Sequence, residues 1–249
     1  VNLNGYFDWA AGRTAIGAAL RNEDIVSTNL GELLAEPRHI HGTNIDYTHW
    51  LNRTNIQFVI EHNILLKRFT LSAGLVAVKN SWAEMNMKVY PSVDASYNIT
   101  NNWKLYASYN TSLRMPSFTD LYYNSKGYNA NKELKPEELA ATEFGVKYHS
   151  QSVNATVSGY YNHIKNLIDW IVDTNSETQT LTTTNFGVIN SVGVEANMDF
   201  DLLNLISGQR LFKKLNIAYA YAHQDQKKYE GIVSQYVLEY LRNKFVANL

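Results

Sequence analysis

The side chains of this chain best suited to chemistry are a few histidines, carboxylates and tyrosines. Their spacing decides what chemistry is open to them. His39-Ile40-His41 sets two imidazoles two residues apart, and on an extended segment such residues point to the same side. A zinc site needs a third or fourth ligand, and none is close in sequence, so the pair reads as two solvated loop histidines. His39, Asp46 and His49 share one segment with Thr43 and Asn44. That is the nearest approach to a hydrolytic cluster, but loops of this composition are common without catalysis. Asp169-Trp170-Ile171-Val172-Asp173-Thr174-Asn175 offers oxygen donors of the kind calcium takes, without the spacing of a defined calcium loop. No catalytic residue, metal site or cofactor is therefore assigned, and the chain is read as a non-enzyme.

Tyr122, Tyr123 and Tyr128 pose a different question, because they lie on a long excursion between Pro116 and Pro136. An ordinary connection needs about 4–6 residues. Amphipathic rings on such a loop supply contact area with a polar tip; packing against neighbouring loops is an equally good use for them.

The elements that must hold this loop show a period of two. Phe69, Leu71, Ala73, Leu75 and Ala77 alternate with Thr70, Ser72, Gly74 and Val76, which is a strand with one apolar face. The same rule holds through Val89–Asn98, Trp103–Asn110, Glu143–Tyr148, Val153–Asn162, Val192–Phe200 and Leu215–Ala222. With Thr14–Arg21, Ile56–Ile64 and Lys244–Leu249, ten strands are expected. Tight turns at Ile64–Arg68, Ile99–Asn102 and His149–Ser152 alternate with long polar loops at Asn22–His49, Leu113–Ala140, Trp170–Phe186 and Gln224–Leu241. Asn80–Met87 and Asp201–Lys214 are intermediate, the latter with a short amphipathic helix at Leu202–Ile206.

Short turns at one end and long loops at the other describe an antiparallel transmembrane β-barrel, all-β in class. A soluble sandwich also alternates its faces. Two features favour the barrel: strands near the about 9–11 residues needed to cross a bilayer obliquely, and aromatics such as Trp50, Tyr97, Trp103, Tyr109, Tyr148, Tyr161 and Trp170 near strand ends. The 249 residues carry a net charge of -1 with no block of like charge, which gives no support to a nucleic-acid partner. There are no cysteines, so disulfides and thiolate sites are excluded. No apolar run approaches the about 20 residues of a spanning helix.

Strand Trp103–Ser112 runs into Leu113-Arg114-Met115-Pro116, and Asn131-Lys132-Glu133-Leu134-Lys135-Pro136-Glu137 leads into the next strand. This order resembles the barrel of TonB-dependent outer-membrane receptors, where a strand ending Phe-Arg-Ala-Pro is followed, after a loop, by Asn-Pro-Asp-Leu-Lys-Pro-Glu. Arg114, Pro116, Asn131, Leu134, Lys135, Pro136 and Glu137 match that pattern; Leu113, Met115, Lys132 and Glu133 depart from it.

The resemblance implies a segment of a barrel of about 22 strands with a plugged lumen, residues 1–249 supplying about ten strands with the plug and terminal strands outside them. It implies active uptake across the Gram-negative outer membrane of a scarce chelate or vitamin (cobalamin, haem or a ferric siderophore). Its partners would be the lipid, the chelate, the inner-membrane TonB protein reached through the plug, and in some systems a surface lipoprotein. Tyr122, Tyr123, Tyr128, His39 and His41 are the candidate ligand contacts, and the seven motif residues are structural. A passive porin or adhesin barrel is the alternative.

Overall fold

The computed structural model describes residues 1–82, 85–208, 211–225, 231–235 and 240–249. In chain order its first strands are β1 (Asn2–Trp9), β2 (Gly12–Ser27), β3 (Glu32–His39), β4 (Asp46–Leu65), β5 (Phe69–Asn80), β6 (Lys88–Asn98) and β7 (Trp103–Arg114). A one-turn helix α1 (Phe118–Tyr122) and the two-residue strands β8 (Asn124–Ser125) and β9 (Tyr128–Asn129) follow. Next come β10 (Glu137–His149), β11 (Val153–Lys165), β12 (Ile168–Asp173), β13 (Leu181–Asn185) and β14 (Val188–Asp201). The last elements are α2 (Leu202–Leu205), β15 (Lys214–Asp225), β16 (Ile232–Ser234) and β17 (Asn243–Asn248).

Twelve of these strands form one sheet in the order β1-β2-β4-β5-β6-β7-β10-β11-β14-β15-β17, with β3 pairing β4 off that path. Each neighbour on the path pairs antiparallel, as an up-and-down barrel wall requires. The expected ten strands are present, and two more join them. β1 continues the wall beyond β2, and β3 forms inside the segment expected to be the Asn22–His49 loop. That expectation is corrected because β2 and β4 stay paired to Ser27 and His49, well past the wall, and offer β3 an edge. The Trp170–Phe186 loop is likewise corrected: it holds β13 and most of β12. The Gln224–Leu241 loop lies partly outside the described residues, at 226–230 and 236–239, as do 83–84 of Asn80–Met87 and 209–210 of Asp201–Lys214.

Register turns the alternation of each strand into two continuous surfaces. One row across the wall reads Ala95, Ala107, Phe144, Gly159, Val194, Tyr221. The adjoining row on the opposite face reads Asp94, Ser108, Glu143, Tyr160, Gly193, Ala222. Large apolar side chains on the first face stay exposed, Phe144 at 57% and Phe58, Ile60 and Leu75 close to half. A continuous apolar belt of this extent is a membrane or protein interface, not a water-facing surface. The tilted rings of Trp103 and Tyr148 meet with centroids 4.8 Å apart near the short turns, where an interfacial aromatic girdle belongs.

A well-buried apolar cluster lies outside the wall, at the long-loop end. Leu121, Tyr122, Leu134 and Ile168 are buried together, with Leu30, Leu51 and Trp82 packed against them. Connections that sequence separates thus meet in one small core.

Candidate functional site

The candidate mouth is built outward from β7. Pro116 has no amide to donate, so the ladder ends at Arg114 and the chain turns into α1. Ser117 caps that helix: its hydroxyl accepts from the Asp120 amide at 3.1 Å, and the Asp120 carboxylate accepts from the Ser117 amide at 2.9 Å. This reciprocal box satisfies two donors that a helix start leaves open. Arg53 on β4 then fastens the turn. Its guanidinium pairs with Glu23, donates to the Pro116 carbonyl at 2.6 Å and lies 4.6 Å from the Phe118 ring centroid.

The motif residues work as a latch on the loop's return. Arg114 donates to the Glu137 carboxylate at 2.9 Å and to the Ile168 carbonyl at 3.4 Å, and Glu137 accepts from the Ile168 amide at 3.2 Å. Start and finish of the loop are thereby joined to each other and to the next loop. The Leu134 side chain fills the buried cluster. The Lys135 amide donates to the Asn185 side chain at 2.7 Å, whose amide returns a bond to the Lys135 carbonyl at 2.9 Å. The Pro136 carbonyl accepts from Asn166, and the Asn131 amide donates to the Asp120 carbonyl at 3.1 Å.

Above this latch, three loops share a second sheet in the order β16-β12-β13-β9-β8. Buried Asp169 anchors it, accepting from the Trp170 amide at 2.8 Å and bonding the Ser234 hydroxyl. The sheet carries an aromatic run: Tyr123 meets Tyr128 edge-on at 5.6 Å, and Tyr128 meets Trp170 at 5.9 Å.

The candidate contacts therefore take different places. Tyr122 is 8% exposed and belongs to the buried cluster, whereas Tyr128 is 41% exposed and Tyr123 lies between them. Lys132 lies 4.8 Å over the Tyr122 ring and donates to Glu32 on β3 at 2.9 Å. Burial, with a hydrogen bond to Glu32, pushes the Tyr122 phenol up to about 12. The bond from Lys132 holds the Glu32 carboxyl below its ordinary range. His39 and His41 sit apart from the tyrosines on the β3–β4 ribbon, exposed, His39 bonded to Asp46 at 2.9 Å. The Asp173 carboxylate accepts from the Asn175 amide at 2.9 Å, a local turn bond. No group of three or more His, Asp or Glu side chains suited to a metal comes together among the described residues.

Sequence reasoning missed Arg53, Glu32, Lys132, Asn185 and Trp170 as builders of the mouth. Arg53 left one signal, a lone cation in a strand otherwise free of charge between Asp46 and Glu61. The polar face expected to line the lumen is continuous in register, with Tyr106 donating to Glu143 at 2.5 Å and Lys147 lying 4.8 Å from the Tyr106 ring.

The family profile described as TonB dependent receptor-like, beta-barrel, matches residues 2–247. The chain belongs to that family. TonB-dependent receptors are transport proteins of the Gram-negative outer membrane, not enzymes. Among relatives, the vitamin B12 transporter BtuB of Vibrio vulnificus is 33% identical over 89 residues, 31% of this chain and 14% of that protein. BtuB of Photobacterium profundum is 36% identical over 75 residues, 30% of this chain and 12% of the relative. The copper transporter OprC aligns over 90% of this chain and 37% of its own, with a TM-score of 0.62 and 17% identity. The siderophore receptor PirA of Acinetobacter baumannii aligns over 92% and 37%, with a TM-score of 0.65 and 16% identity. These structures share the fold. The receptor barrel described here spans little more than a third of their length and a smaller part of the B12 transporters.

Proposed function

We propose that this chain is the barrel portion of an active-transport receptor that takes up a scarce metal chelate or vitamin (cobalamin, haem or a ferric siderophore) through the outer membrane. The observation that carries this reading is the mouth itself: loops knitted by the Arg114–Glu137 latch and a second sheet, over a wall that is apolar outside and polar within. A passive pore has little need to fix its loops around an aromatic run. In this proposal Tyr123 and Tyr128 meet the ligand, Tyr122 positions them from the buried cluster, and His39 and His41 flank the approach. A plug in the lumen couples binding to the inner-membrane TonB protein, with a surface lipoprotein as an optional partner.

The test uses the full-length receptor in detergent, titrated separately with cyanocobalamin, haemin and ferric enterobactin and followed by equilibrium binding. Saturable binding of one of them, with cellular uptake abolished by collapsing the proton gradient, supports the proposal. Uptake that survives that collapse, or no binding of any chelate, assigns the barrel to passive permeation or adhesion.

A further inference from the structure

The connections at the short-turn end are not alike. Residues 66–68, 99–102 and 150–152 are brief turns, whereas β14 and β15 are joined by residues 202–213. That connection begins with α2, capped by Asp201, whose carboxylate accepts from the Leu203 amide at 3.1 Å. Leu203, Leu205 and Ile206 are half exposed, and Leu211 and Phe212 follow on the return. So many large apolar side chains on a turn facing water would be a liability.

Register says where the connection leaves the wall. Phe200 pairs with Leu215 on the belt face, Asp201 pairs with Lys214 on the lumen face, and the Leu202 amide then donates to the Lys213 carbonyl at 3.0 Å. That bond carries the ladder one step past Asp201 and Lys214, so the apolar segment begins directly at the edge of the belt. Lys213 is exposed at that boundary, where a cation is matched to lipid phosphate.

We infer that the described residues of this connection, 202–208 and 211–213, form a lipid-anchoring element, the leucines and isoleucine seated among acyl chains of the periplasmic leaflet and Lys213 at the headgroup phosphates. This rests on the membrane-barrel reading and extends it from the wall to a turn. Short amphipathic segments of this kind lie in the interface instead of crossing it.

The experiment places a nitroxide label on single cysteines of the full-length receptor in vesicles of phosphatidylethanolamine and phosphatidylglycerol, and reads collision with oxygen against a water-soluble nickel chelate. Phe144→Cys reports the belt, Asn101→Cys a polar turn, and Ile206→Cys the proposed anchor. The expected result is an oxygen-to-nickel ratio at 206 shifted away from that of 101 toward that of 144, with Lys213→Glu moving it back. A ratio at 206 equal to that at 101 overturns the anchor while leaving the barrel intact. A label at 206 shielded from both reagents overturns it in favour of packing against another part of the receptor. An aqueous ratio at 144 overturns the barrel reading instead.

Discussion

The ring of Tyr106 occupies the space that a side chain at Gly145 would need: a Cβ there would fall 2.5 Å from the Tyr106 ring atoms. The two residues are direct register partners on the lumen face. Glu143 and Lys147, two positions to either side on β10, hold the ring by its hydroxyl and its face. Gly145→Val forces the ring out and should cost about 1–3 kcal/mol as overpacking. Urea unfolding of the full-length receptor in detergent checks it. Gly159→Ala on the belt face, where the nearest heavy atom would be 3.7 Å from the new Cβ, should be close to neutral.

Arg114→Ala removes the latch cation and leaves the largely buried Glu137 carboxylate, among the described residues, with the Ile168 amide. Loss of hydrogen bonds to a charged group costs about 1.5–3 kcal/mol. Loop residues 115–136 should become sensitive to limited proteolysis while the wall still inserts. Unchanged protection would mean that the loop sheet alone holds the mouth.

Leu121 is fully buried in the loop core and Tyr128 is not. Leu121→Ala should lower stability by about 2–5 kcal/mol through the cavity it leaves. Tyr128→Ala, which gives up two edge-on ring contacts, should lower stability by less than Leu121→Ala, about 1 kcal/mol, and weaken chelate binding by at least about 1 kcal/mol, roughly fivefold in Kd. An unchanged Kd for Tyr128→Ala would place Tyr128 in the packing alone and outside the binding surface.

The strut from Lys132 to Glu32 and Tyr122 predicts opposite behaviour at the two ends of the pH scale. Glu32 has a folded-state pKa depressed by the Lys132 bond, so its contribution is present above the ordinary carboxylate pKa and fades as acid lowers the pH through the folded value. Both partners are more than half exposed, so the pair is worth at most about 1 kcal/mol and weakens with salt. Tyr122, raised to about 12, favours folding as the neutral phenol; that contribution is complete below about 10 and is lost as the pH rises through its folded value. The tyrosinate absorbance of Tyr122→Phe should lack one late-titrating phenol that the parent protein shows.

The mouth was only partly legible in the sequence. Arg114, Pro116, Leu134, Pro136 and Glu137 stood out by their resemblance to the receptor-barrel pattern, yet nothing local revealed that Arg114 also reaches Ile168 or that Asn185 fastens Lys135. Tyr122 and Tyr123 are adjacent and of one type; only packing buries the first and leaves the second nearer the surface.

The alternation of Phe69–Ala77 and its successors by itself determined the wall, because strand side chains alternate whatever lies beside them and a bilayer outside a polar lumen rewards one pattern over many strands. β1 was missed because Gly5 interrupts its alternation, and β3 because Pro37 and a register shift leave it only partly paired to an edge. The loop sheet and its buried core were decided by the tertiary structure alone. Their bonds join residues such as Asp169 and Ser234, or Arg53 and Pro116, more than sixty positions apart, and such pairings exist only once the wall has brought its long-loop ends together.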